Sequence, residues 1–244
     1  MKKIIYIVFI FTIIVSTLKI FKWNYDNITT KSELIDIKNV IDNSINENED
    51  SSKKSNIINI TELKEINKDT VGYLEVPNTN VNYPFVKYKD NNYYLKHSFY
   101  NKKSNAGWIF MDYRNNINNL NDNTIIYGHN MSNKTMFGSL KDVLNDNWIN
   151  NEYNHIIKIT TEENIFQFKI FSIYIIDYTN DYLITSFNDK IQYNEFLQML
   201  KGRSDYSFKT DINNTDKILT LSTCNGKNNK RLVIHAKLIN IENI

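Results

Sequence analysis

The chain has 244 residues and a single cysteine, Cys224. No internal disulfide can form, and a lone thiol in an exported chain requires a reason. Taken by itself, a small buried apolar cysteine is the ordinary reading. Glycine (6) and proline (2) are scarce, alanine is sparse, and aromatic residues make up 13%. Few helix formers and many aromatic and β-branched residues favour β-structure. Charge of one sign is also missing: the net charge is only +2. That balance offers no footprint for nucleic acid, and no such partner is expected. There is no internal repeat. Length and an ordinary 41% hydrophobic content suit one sizeable domain with appendages.

What the chain does have is one long apolar run at its start. Lys2 and Lys3 precede it, it extends over residues 4–15, and Ile20 and Phe21 resume it after Ser16, Thr17 and Lys19. The hydrocarbon core takes about 20 residues, and lysines at the ends extend a slightly short run by snorkelling. No small-x-small cleavage site follows. Residues 1–23 are therefore read as an uncleaved, single-pass membrane anchor, basic end inside and the remainder outside the cell. Residues 24–56 read as a flexible extracytoplasmic spacer, with a short helix around Ile35, Ile37, Val40 and Ile41 and a polar stretch, NSINENEDSSKKSN, over 43–56. Residues 57–244 are the folded domain.

In that domain Thr61 is read as a helix cap ahead of Leu63 and Ile66. Strands are expected over 71–76, 81–86, 107–111, 124–127, 156–159, 165–176, 217–223 and 231–239. Pro77-Asn78-Thr79-Asn80 is turn chemistry between the first two. Residues 135–144 carry helical spacing, and 190–201 (KIQYNEFLQMLK) form the clearest amphipathic helix. About eight strands with few helices point to a mainly β, closed or nearly closed barrel.

Cys224 ends one late strand and Arg231 opens the next. A nucleophilic thiol needs a cationic neighbourhood, an acid for the leaving group and a donor for the oxyanion. Of the four histidines, His129 stands out: Tyr127-Gly128-His129 ends an apolar strand, where glycine frees the backbone to present a side chain. His235 lies mid-strand and reads as structural; His97 and His155 sit in polar contexts and read as solvated. Arg231 keeps its charge and offers several donors, with Lys230 as the rival cation.

These blocks together resemble the sortase family, class B. The carriers are Thr220-Leu221-Ser222-Thr223-Cys224, Arg231 to Ala236, and Tyr127-Gly128-His129, supported by Val81-Asn82-Tyr83-Pro84, Tyr94-Leu95, Ile109 to Asn115 and Thr135-Met136-Phe137. The likeness spans residues 66–239. It implies an eight-stranded sortase-type β-barrel with N-terminal helices and a helix before the penultimate strand. It implies a membrane-anchored cysteine transpeptidase that needs no metal or cofactor. Its substrates would be surface proteins bearing an Asn-Pro-x-Thr-like C-terminal sorting motif. Its acceptor would be an amine of a peptidoglycan precursor or cross-bridge. By matching position, Cys224 is the nucleophile, His129 the acid and base, and Arg231 the oxyanion or substrate-backbone donor; Asn91, Leu95, Tyr182, Leu183 and Ser222 line the substrate groove. The chain departs from the class B pattern in a short loop at 225–230, with Asn225 where an acidic residue is often found, and in Tyr178, where a small hydroxyl residue is expected. Two other readings use the same residues: a tethered cysteine peptidase with water as acceptor, and a non-catalytic domain that binds a cell-wall partner.

Overall fold

Residues 2–47, 58–224 and 229–244 are described by the computed structural model, with residues 43–47 and 224 described as backbone only. Residues 48–56 of the expected spacer, the domain start at 57 and residues 225–228 of the loop after Cys224 lie outside the described residues.

The first element is one helix, α1 (Lys2–Glu47). Its apolar first half is exposed on all sides, as Ile4, Phe11 and Phe21 show. Among the described residues it is the one helix long and apolar enough to cross a membrane. Beyond residue 25 its character changes. Thr30, Glu33, Ile37 and Ile41 recur at helical spacing and are buried. The stretch expected to be a spacer is thus helical as far as Glu47, because this stripe has the barrel to pack against. Ser98 donates to Glu33 at 3.0 Å. A second helix, α2 (Ile60–Ile66), follows. Its cap is Asn59, not Thr61: the Asn59 amide oxygen accepts from the backbone of Thr61 and Glu62, and its NH2 donates to Glu62 at 2.7 Å. That reciprocal arrangement satisfies free donors at both positions.

Eight strands then close into a barrel: β1 (Thr70–Glu75), β2 (Asn82–Lys87), β3 (Phe110–Met111), β4 (Asn123–His129), β5 (Ile156–Thr160), β6 (Asn164–Asp177), β7 (Ile218–Cys224) and β8 (Lys230–Asn243). The order around the barrel is β1-β2-β3-β4-β7-β8-β6-β5, and β5 pairs back to β1. A short helix, α3 (Asp146–Ile149), lies between β4 and β5, and α4 (Lys190–Gly202) between β6 and β7. Most pairs are antiparallel, but β2–β3 and β4–β7 are parallel. Parallel neighbours need a long crossover, and β5, β6 and α4 supply it.

Alternation along the strands fills the interior with Ile125, Phe166, Phe168, Leu219, Leu221 and Ile234. In β6 the register slips after Ile170. Phe166, Phe168 and Ile170 face the main core before the slip and Ile173 after it, while Phe171 and Tyr174 join a second cluster. A bulge of this kind reverses which face each residue takes. The second cluster receives α4 through Tyr193, Phe196, Leu197 and Leu200. Asp189 caps that helix, accepting from the backbone of Ile191 and Gln192.

Two histidines differ from expectation or extend it. His155, read as solvated, is buried and bonds the Ile149 carbonyl oxygen at 2.8 Å. His97 is half-buried, stacked on Tyr93 with centroids 4.0 Å apart. His235 is fully buried, as its mid-strand position suggested. Thr220 donates to Asn123 at 2.7 Å, so its oxygen accepts from His235 Nδ1 at 2.8 Å, and Tyr174 donates to Nε2 at 2.9 Å. Asn123 in turn donates to the Ile184 carbonyl at 2.8 Å. This chain of bonds ties four strands to the segment after β6.

Burial, and then the Arg203 charge, push the His235 pKa down to about 3. A histidine held neutral contributes fully above its unfolded value near 6.5, and that contribution is lost as pH falls from there toward the folded value. Lowering the pH from 7 to 5 is expected to cost about 2 kcal/mol of stability. His235→Gln, which cannot titrate, should flatten this slope. Urea midpoints at the two pH values check it; an unchanged slope in the variant would assign the acid sensitivity to other groups.

Candidate active site

The parallel pairing of β4 and β7 sets Tyr127 opposite Ser222, Gly128 opposite Thr223 and His129 opposite Cys224. The two strands run in the same direction, so their last residues emerge side by side. Gly128 is required here, since a Cβ would lie 2.6 Å from the Phe137 ring. Arg231 comes from the neighbouring strand β8. Its Nη1 donates to the Thr223 carbonyl at 2.8 Å, and Leu232 N donates to Thr223 Oγ1 at 2.9 Å. His129, distant in sequence, is thereby gathered with Cys224 and Arg231 at one end of three adjacent strands.

His129 is half-buried, and its Nε2 donates to the Leu95 carbonyl at 2.9 Å. A carbonyl only accepts, so this bond makes Nε2 the protonated nitrogen in the neutral ring and leaves Nδ1 as acceptor. Gly107 permits the approach: its φ is 56°, and a Cβ would stand 2.4 Å from Tyr94 O and 3.0 Å from His129 Cδ2.

Arg231 lies over the Tyr178 ring, 4.7 Å from guanidinium carbon to centroid. Tyr178 is 47% exposed and its hydroxyl donates to Asn180. The departure noted at this position thus acquires a task, because an aromatic face holds a guanidinium plane. Arg231 Nε is buried and has no acceptor among the described residues. An unpaired buried donor is costly and rare, and it marks a position worth explaining.

The five expected groove residues divide. Leu95 and Leu183 are half-buried; Leu95 serves His129 through its carbonyl, and Leu183 O accepts from Arg114 Nη2 at 2.9 Å. Asn91 is half-buried, with its amide committed to Asp112 and to the backbone of Tyr113. Tyr182 and Ser222 are 0% exposed and bonded to each other at 3.0 Å. In this structure neither of these side chains reaches solvent.

Asp112 was part of a quoted motif but carried no role in the sequence reading. It is fully buried and accepts from Arg114 Nε, Arg114 Nη2, Tyr127 OH and Asn91 at 2.7–2.9 Å. Burial works to raise its pKa, but bonds from Arg114, Tyr127 and Asn91 outweigh it and hold the carboxyl below its usual range. Through Arg114 this carboxylate fixes the segment carrying Leu183. The signal in the sequence was an aspartate placed just after a two-residue strand. Among the described residues no group of His, Cys, Asp and Glu is arranged to hold a metal ion.

Comparison with known proteins points to one family. The sortase domain family matches residues 74–239, which include His129, Cys224 and Arg231. The chain is 36% identical over 187 residues to sortase B of Listeria monocytogenes, covering 74% of each protein. A Staphylococcus aureus sortase B–substrate complex is 32% identical with a TM-score of 0.75, covering 86% of this chain and 97% of that one. A sortase B complexed with triglycine is 31% identical with a TM-score of 0.77, over the same shares of the two chains.

Proposed function

The chain belongs to the sortase family, and on that premise we propose that it is a membrane-anchored cysteine transpeptidase that joins surface proteins to the cell wall. The observation that carries this reading is the parallel register that sets His129 opposite Cys224, with Arg231 bonded to Thr223, the residue just before the nucleophile. Cys224 Sγ, its proton passed to His129 Nδ1, attacks the threonine carbonyl of an Asn-Pro-x-Thr-like sorting motif. Arg231 meets the developing oxyanion. His129 gives a proton to the leaving amine, and the adduct collapses to a thioester on Cys224. With Nε2 committed to Leu95, Nδ1 is the nitrogen available for proton exchange. The amino group of a peptidoglycan precursor or cross-bridge then displaces the thiolate and passes its proton to His129. Asn91, Leu95 and Leu183 flank the bound motif, with Tyr182 and Ser222 buried and bonded to each other. The triglycine complex of a relative supports an amine as acceptor, and the substrate complex of another supports a groove of this kind. The exposed apolar half of α1 supports anchoring in a membrane.

Product analysis of an Asn-Pro-x-Thr peptide tests the reaction. With a diamino-peptide or triglycine present, the acyl group is expected to appear mainly as the amide, at the expense of free acid. Hydrolysis at a rate and yield indifferent to the amine would instead identify a peptidase.

A further inference from the structure

The apolar run of α1 ends at Phe21, and the last turn carries Lys19, Lys22 and Trp23. Residues 19, 22, 23, 26 and 30 share one helical face, the face whose continuation packs on the barrel. Between this face and the barrel lies a cavity of about 160 Å³. Lys19, Lys22, Trp23 and Asp26 line it from α1, and Asn105, Ala106 and Met131 from the barrel. Asn105 donates to the Asp26 carboxylate and Asn133 to Asn27, so the upper wall is fastened to the helix. Neither Lys19 nor Lys22 has a carboxylate partner among the described residues. From Phe21 to Asp26 the helix rises about 8 Å. The polar zone of one leaflet is about 5–8 Å deep. The cavity therefore stands at headgroup level, with two uncompensated ammonium groups and an interfacial tryptophan on its membrane side.

We propose that this cavity binds the phosphodiester headgroup of an anionic membrane lipid, held by Lys19 and Lys22 below the Asn105–Met131 wall; this rests on the reading of α1 as a membrane anchor. Asp26 lines the same cavity with its carboxylate held by Asn105, so two ammonium groups and one carboxylate leave the lining with one net positive charge. The barrel wall makes this more than a pair of lysines at a helix end. It encloses the headgroup from above, and Met131 in that wall bonds the His129 carbonyl at 3.1 Å.

Trp23 is 52% exposed, whereas Trp108 and Trp148 are buried, so quenching by lipid reports on Trp23. The full chain is placed in phosphatidylcholine vesicles containing increasing fractions of brominated phosphatidylglycerol or, in parallel, brominated phosphatidylcholine. Half-maximal quenching is expected at a fraction of the anionic lipid about tenfold lower than that of the zwitterionic one. Lys19→Gln with Lys22→Gln should bring the ratio to about one. Lys31→Gln with Lys38→Gln, which removes the same charge from exposed positions off the cavity, should leave it unchanged. Equal quenching by both lipids overturns the proposal. So does an equal loss in the Lys31 and Lys38 pair, which would mean diffuse attraction, or displacement by millimolar inorganic phosphate, which would mean an ion site. Vesicle flotation is read first: a chain that does not float overturns the anchor reading itself, whereas a floating chain without selectivity overturns only the headgroup site.

Discussion

Replacing Cys224 with alanine is expected to lower kcat/KM for an Asn-Pro-x-Thr peptide by at least about 10⁴-fold. The reason is chemical rather than structural. Cys224 is the last residue of β7, opposite the last residue of β4. No other thiol exists in the chain to take its place. His129 and Arg231 would remain, but an acid and an oxyanion donor without a nucleophile retain only a small part of such a reaction. The lone cysteine also makes the control direct: iodoacetamide should add a single label to the wild-type protein and abolish activity in proportion. A variant that kept full activity, or a wild-type thiol that stayed inert in the native protein, would point to the non-catalytic wall-binding domain instead.

Arg231→Lys is expected to reduce kcat by about 10²–10³-fold with little change in KM or melting temperature. The guanidinium performs three tasks in one plane. Nη1 holds the Thr223 carbonyl, the π-face rests on Tyr178, and Nε is left as a buried donor with no acceptor among the described residues. An ammonium reaches one of these partners at a time and has no planar fork. Loss confined to kcat identifies a donor used in the transition state, because uniform binding would appear in KM. A lysine variant with near wild-type kcat would show that positive charge alone suffices, and a mainly raised KM would assign Arg231 to holding the substrate backbone.

Much of the fold was legible in local pattern. Alternation marked the strands, and the amphipathic run 190–201 is α4 as built, with Phe196, Leu197 and Leu200 buried as its spacing implied, although Ile191 is exposed and Tyr193 takes its place in the packed face. The blocks around His129, Cys224 and Arg231 were recognisable because each sits at a strand end, where a change from apolar to polar residues is visible. Local pattern failed where a partner distant in sequence decides. Residues 24–56 looked like a spacer with only a short helix around Ile35 to Ile41, since Thr30 and Glu33 gain their burial only from the barrel and from Ser98. Thr61 looked like a cap, since only the turn geometry shows Asn59 reaching two backbone donors.

The sequence by itself determined the elements, the apolar start of α1 and the three residue types the chemistry calls for, because periodicity and strand-end punctuation are properties of neighbouring residues. Tertiary structure alone decided that β4 and β7 run parallel with His129 opposite Cys224, that Tyr178 lies beneath Arg231, and that Tyr182 and Ser222 are buried. Register, ring stacking and burial depend on which strands meet across a closed barrel. That meeting depends on pairings such as Tyr73 with Thr160 and Asn123 with Ile218, far apart in the chain, which local pattern does not encode.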